Sequence, residues 1–168
     1  MAACAAARSS SPCSVSTHSP AWSKLASDHP HRTYVACATG DLPFLVTRKL
    51  PIKWDAHAAQ GAAMGGHIVC LRFAITHGAP YDVPMLTLFA AQKGNLDVLQ
   101  WLVVRMCGEL QWHPQSLYWA ALNGHTECVA FILERMPVTR DCVAEALSVA
   151  IHRNHAACVA LLAAAAPP

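Results

Sequence analysis

Residues 120–129 read AALNGHTECV, and residues 90–99 read AAQKGNLDVL. Both begin with two alanines, reach a turn residue four places on, and continue as an apolar stripe. Three further stretches fit the same frame: ACATGDLPFL from Ala36, AAMGGHIVCL from Ala62 and AIHRNHAACV from Ala150. Their turn residues, Gly40, Gly66, Gly94, Gly124 and Asn154, stand 26, 28, 30 and 30 residues apart. Gly and Asn are the residue types that most readily take the left-handed conformation closing a helix, so each of these positions marks a helix stop.

After each stop the apolar positions recur with helical phase, as in Leu96, Val98, Leu99 and Leu102, or Cys128, Val129 and Ile132, or Cys158, Val159 and Leu162. These are second helices. The runs before the stops, such as Pro84 to Lys93 and Gln115 to Asn123, are first helices whose paired alanines permit close helix contact. Asp55, Asp82 and Asp141 stand near the starts of first helices and are expected to accept hydrogen bonds from unpaired amides. Pro84 suits a first turn. A helix pair repeated at about 30 residues cannot bury its faces alone and must stack on its neighbours. The expected fold is all-α, an α-solenoid of about five helix-turn-helix repeats over residues 31–53, 54–81, 82–111, 112–138 and 139–168. Residues 1–30, rich in Ala, Ser and Pro, are expected to be a disordered arm.

Composition narrows the function. The 168 residues are 54% apolar and 13% charged, with a net charge of +2. That excludes a wholly disordered chain, and the length suffices for a core without disulfides or a structural metal. Twelve basic residues against ten acidic ones, scattered along the chain, give no footprint for nucleic acid. Every 18-residue window contains a charge, His, Gln or Asn, so no membrane-spanning helix is expected. The start, MAACAAARSSSPCSVS, shares its Ala, Ser and Arg content with organelle transit peptides but lacks a secretory apolar region. An intracellular, cytoplasmic location is the expectation.

The pattern A-A-x-x-G-H, followed by an apolar residue five places after the Gly and larger apolar residues beyond it, resembles the ankyrin repeat. Ala120, Ala121, Gly124, His125, Val129, Ile132 and Leu133 carry it best, and His77, Gly78 and Ala79 match the family's loop after the second helix. The resemblance covers roughly residues 34–166. The family's T-P-L-H is absent, with MLTL and QSLY in its place, and the repeats are shorter than usual. Pro80-Tyr81-Asp82 and Trp54-Asp55 resemble the C-P-W-D loop of a divergent ankyrin subclass whose repeats read G-H-L-E-V-L-x-W, and residues 94–101, GNLDVLQW, are close to that string.

Three His-x-x-Cys pairs, His67 with Cys70, His125 with Cys128 and His155 with Cys158, have zinc-ligand spacing, and His152 adds a His-x-x-His. The register opposes a metal site. The same two positions hold Asp41 with Phe44 and Asn95 with Val98 in the other repeats, which reads as a polar helix start followed by a core position. Stacked helices lie roughly 10 Å apart, too far for ligands about 2 Å from one ion. The eight cysteines, Cys4, Cys13, Cys37, Cys70, Cys107, Cys128, Cys142 and Cys158, read as small hydrophobes in a reducing compartment. No paired carboxylates, nucleophile elbow, phosphate loop or dinucleotide fingerprint occurs, so no catalytic residue, metal or cofactor is expected.

Candidate partner-binding residues come from the loops and first helices. Trp54, Tyr81 and Trp112 fall just before first helices, where a stacked array presents them along one edge; the alternative is that each ring covers the joint between repeats. Lys93 and Asn123 are further candidate contacts. The last repeat, with CVAEALSVAI from Cys142 and CVALLAAAA from Cys158, is almost uncharged where a terminal repeat ordinarily shows water a polar face. The resemblance implies a non-enzymatic protein–protein interaction scaffold or adaptor. The rivals are a self-associating structural module, joined through the apolar C-terminal repeat, and a metal- or thiol-site protein using the His-x-x-Cys pairs.

Overall fold

The computed structural model describes residues 32–47, 54, 56–106 and 110–165. The expected arm over residues 1–30 lies outside that range, as do Asp55, Cys4, Cys13 and Cys107. Five helix pairs follow one another among the described residues: α1 Arg32–Thr39 and α2 Leu42–Thr47, α3 Ala56–Gly65 and α4 Ile68–Thr76, α5 Val83–Lys93 and α6 Leu96–Arg105, α7 Ser116–Leu122 and α8 Thr126–Arg135, α9 Arg140–His152 and α10 Ala156–Ala165. Each odd-numbered helix packs on the next odd one, and α4, α6, α8 and α10 pack in series. The result is a two-layered α-solenoid, with no strand among the described residues.

The turns close as their residue types dictate. At Gly94 (φ 76°) the amide of Asn95 donates to Ala90 O at 2.9 Å and that of Gly94 to Ala91 O at 3.3 Å. His125 and Gly124 donate in the same way to Ala120 O and Ala121 O, at 3.0 and 3.3 Å. This satisfies carbonyls that the end of a helix leaves without partners. Asn154 (φ 59°) closes α9 with the equivalent bonds to Ala150 O and Ile151 O.

A second constraint on these turns comes from the following repeat. A Cβ on Gly124 would lie 2.7 Å from the ring of His155, and one on Gly94 would lie 2.5 Å from His125 Nδ1. Each imidazole rests on the preceding turn and uses its far nitrogen as a donor: His125 Nε2 to Gln92 O at 3.2 Å, His155 Nε2 to Leu122 O at 3.1 Å. Asn95 does the same with its amide, donating to Ala63 O and Met64 O at 2.7 and 2.9 Å. These residues occupy the N-cap positions of α6, α8 and α10, yet neither Asn95 nor His125 caps its own helix with its side chain. The position read as a polar helix start is a tether to the repeat before it.

The expected aspartate caps need correction. Asp82 precedes α5 in extended conformation but makes no side-chain cap bond. Asp141 lies inside the first turn of α9; the cap there is Thr139, whose hydroxyl accepts from Cys142 N at 3.4 Å. Asp141 instead sets a negative charge near the positive end of the helix dipole.

The core runs the length of the array between the two layers. Leu71, Leu86, Leu99, Leu102, Leu117, Ile132 and Leu162 are fully buried, as are the alanine pairs 62/63, 90/91 and 120/121. One polar pair lies within it: the Thr87 hydroxyl donates to Pro84 O at 2.7 Å, accepts from His113 N at 3.1 Å and meets Ser116 Oγ at 3.4 Å. These bonds tie α5 to the next first helix and give the Thr87 and Ser116 hydroxyls partners.

Gly124→Ala is expected to cost about 1–3 kcal/mol, from left-handed strain and displacement of the His155 ring, whereas Asn154→Gly, at an exposed turn, should stay within about 0.5 kcal/mol of wild type. Urea unfolding midpoints check both, and a tolerated Gly124→Ala would refute the coupling of turn and imidazole.

Candidate functional site

The aromatic residues of the loops are set by register. Trp54 and Trp112 each stand twelve residues before a turn glycine, Gly66 and Gly124, and each folds onto the aromatic residue seven places after it. Trp54 meets Phe73 edge-on at 6.0 Å and 63°, with His77 at 6.3 Å. Trp112 meets Phe131 at 6.3 Å and 63°. Both indoles are half-buried against the core. Their partners lie on α4 and α8, the second helices of their own repeats. Tyr81 stands one residue out of this register and is 39% exposed.

The same helices carry a base one turn beyond each aromatic residue, the spacing that places two side chains on one face. His77 lies 4.0 Å from the Phe73 ring, and the Arg135 guanidinium stands 5.7 Å over Phe131 in a cation–π contact. Trp101 and Arg105 are the corresponding pair in α6, and with Arg72, Ile75 and Thr76 of α4 they line a cleft of about 250 Å³. The sequence showed Trp101 only as part of a helical stripe. The recurring aromatic-x-x-x-base signal in FAITH, WLVVR and FILER was present to be read.

The remaining candidates divide. Lys93 is exposed at the last position of α5. Asn123 is exposed as well, but its amide donates to Gln92 O and Trp119 O at 3.0 Å each, so it joins two repeats. The structure therefore gathers Lys93 and Asn123 at the turn side of the first helices and sets Trp54 and Trp112 against second helices.

The His-x-x-Cys pairs are divided between two environments. His125 and His155 point back to carbonyls of the preceding repeat, while Cys70, Cys128 and Cys158 are buried. Among the described residues no group of three or more His, Cys, Asp or Glu side chains is placed to hold a metal ion. Burial, with Glu127 adding to it, pushes the Cys128 thiol up to about 11. Burial and then Asp41 raise Cys70 in the same direction. A thiolate nucleophile requires the opposite shift.

A stack of helix pairs, the first four closed by a left-handed turn under the next repeat's imidazole or amide, defines a repeat scaffold. Residues 87–167 match the family model for ankyrin repeats (3 copies), which supports the resemblance to that family. The turns at Gly40 and Gly66, lying under His67 and Asn95, continue the same construction on the N-terminal side. No curated protein matches the chain. Ankyrin repeats generally mediate protein–protein interactions and are typically non-enzymatic modules, and no helix among the described residues is long and apolar enough to cross a membrane.

The Cys128 shift gives a pH dependence. Its ordinary value is 9.0, so between pH 9 and 11 the unfolded chain loses a proton that the folded state retains. The stabilisation is intact below pH 9 and is lost as pH rises through about 11. Wild type should lose on the order of 2 kcal/mol more than Cys128→Ala between pH 8 and 11 in urea unfolding; equal losses would refute the assignment.

Proposed function

We propose that this protein is a non-catalytic interaction scaffold or adaptor, acting inside the cell on a protein partner through the loops that carry Trp54, Tyr81 and Trp112, with Lys93 and Asn123 as further contacts at the other ends of the first helices. The observation that supports it most is the tether between successive repeats, which holds loops and turns in fixed register without catalytic groups of its own. Preorganised presentation lowers the ordering cost of binding, and aromatic residues are favoured anchors in interfaces. Working boundaries for the repeats are residues 31–53, 54–81, 82–111, 112–138 and 139–168, with residues 1–30 as an arm outside the array. For a partner isolated by affinity capture, the triple variant Trp54→Ala, Tyr81→Ala, Trp112→Ala is expected to weaken binding at least tenfold, with helical content checked by circular dichroism. Retained affinity in a folded variant would refute the aromatic edge.

A specific observation favours a second reading, self-association through the last repeat. The residue three places before each turn is fully buried in the first four pairs, at Cys37, Ala63, Ala91 and Ala121. In the fifth pair it is Ile151, which is 59% exposed. Val159 is likewise only half-buried where Leu71, Leu99 and Val129 are fully covered. Asn154 puts a side chain where the preceding turns need the bare glycine that lies under an incoming imidazole or amide. This end therefore suits an apolar surface other than a further repeat of the same kind, and we assign it to a second copy of the chain. Light scattering is expected to show concentration-dependent dimers that Ile151→Glu abolishes. A monomer at the highest accessible concentration would exclude the reading.

A further inference from the structure

We infer that the cleft between α4 and α6, lined by Arg72, Ile75, Thr76, Trp101 and Arg105, receives a carboxylate-bearing segment of a protein partner, an Asp or Glu followed by an apolar side chain. The inference rests on the reading of the chain as a protein-binding array and adds to it the chemistry of the partner. Three observations carry it.

The cleft exists because the third repeat breaks the aromatic register. In the second and fourth repeats an indole from the preceding loop, Trp54 or Trp112, covers the aromatic ring of the second helix. The equivalent position before Gly94 is Asp82, which is exposed, and no described ring stacks on Trp101. The half-buried face of Trp101 therefore opens onto the gap beside α4.

The gap is rimmed by two cations. Arg72 and Thr76 lie one turn apart on α4, as do Trp101 and Arg105 on α6, so the four face the same space. Arg72 and Arg105 are exposed, and neither makes an ion pair with a described carboxylate. The acid on the same face of α6, Asp97, precedes Arg105 by two turns, about 12 Å of helix rise. Arg105, in the last turn of α6, also complements the helix dipole; Arg72, in the middle of α4, has no such explanation. The Thr76 hydroxyl donates to Arg72 O and Phe73 O, each at 2.9 Å. Among the described residues, the side-chain donors left without a partner at this site are the two guanidinium groups and the Trp101 indole N–H.

Size and polarity identify the occupant. A volume of about 250 Å³ falls below the roughly 300–1,000 Å³ of small-molecule sites and suits one or two side chains. Guanidinium forks pair with carboxylates in bidentate geometry. Ile75 and the Trp101 ring supply the apolar wall for the side chain that follows. A free anion would use the forks and leave that wall idle. A nucleic acid would require a longer basic track than two arginines in a chain of net charge +2.

The test is an NMR titration of the full chain with a synthetic peptide of sequence GEELEEG. Inorganic phosphate, an oligothymidylate and the neutral peptide GQQLQQG serve as separate arms. Saturable shifts at the backbone amides of the last turns of α4 and α6 and at the Trp101 indole N–H are expected with the acidic peptide alone. Arg72→Glu/Arg105→Glu should weaken that binding at least tenfold, as should the milder Arg72→Gln/Arg105→Gln if charge reversal impairs folding, while Arg153→Glu leaves it unchanged. Shifts mapping elsewhere, equal binding of GQQLQQG, or tighter binding of phosphate or oligothymidylate would overturn the inference. So would a captured partner that binds the arginine variants as tightly as wild type; that result leaves the protein-binding reading standing, whereas failure to capture any partner counts against that reading and leaves the titration as the test of the cleft.

Discussion

A single side chain reaching backwards sets the terms for the rest of this molecule. His125, His155 and Asn95 each leave the start of a second helix, lie over the turn of the preceding repeat and donate to carbonyls at the end of its first helix. Those carbonyls are acceptors that a helix cannot satisfy from within. The donor therefore repairs a defect in its neighbour. Because the ring or amide sits directly on the turn, Gly94 and Gly124 are held to glycine by space as well as by their positive φ. Local backbone geometry and inter-repeat packing are thus one constraint, and the constant frame around the turn is its trace in the sequence.

That frame made the fold legible. Turn residues in one register, flanked by alanine pairs and apolar stripes, located the helix pairs to within a residue or two, with α5 beginning at Val83 and α7 at Ser116. The tether was less visible, because His and Asn before a helix also read as capping residues, and with a cysteine three places on they suggest a metal. What His67, Asn95, His125 and His155 share is a planar side chain carrying an N–H donor, a chemistry that a cap, which must accept, does not use. Aspartate was misread for a related reason. An Asp near a helix start is favoured by the dipole without making a cap bond, and at α9 the cap fell to Thr139, two residues before Asp141.

The candidate site was readable in its residue types and less so in its arrangement. Trp54 and Trp112 were visible as loop aromatics. That they lie on Phe73 and Phe131 follows only when the distance to each turn glycine is compared between repeats. By the same comparison Tyr81 falls out of register and Trp101 is left uncovered. The cysteines, in contrast, were settled by position: one register slot that also accepts Val98 is an interior slot, and the raised thiols of Cys70 and Cys128 follow from that burial.

The tethers all run in one direction, from a later repeat to an earlier one. A turn is consequently incomplete, its carbonyls open to water, until the residues about thirty places downstream have been added. On a ribosome, where domains order from the N-terminus as chain emerges, each helix pair would wait for its successor, so structure would trail synthesis by one repeat. At the fifth turn Asn154 is exposed and no described ring lies upon it, so among the described residues that turn is closed by its own backbone bonds to Ala150 O and Ile151 O.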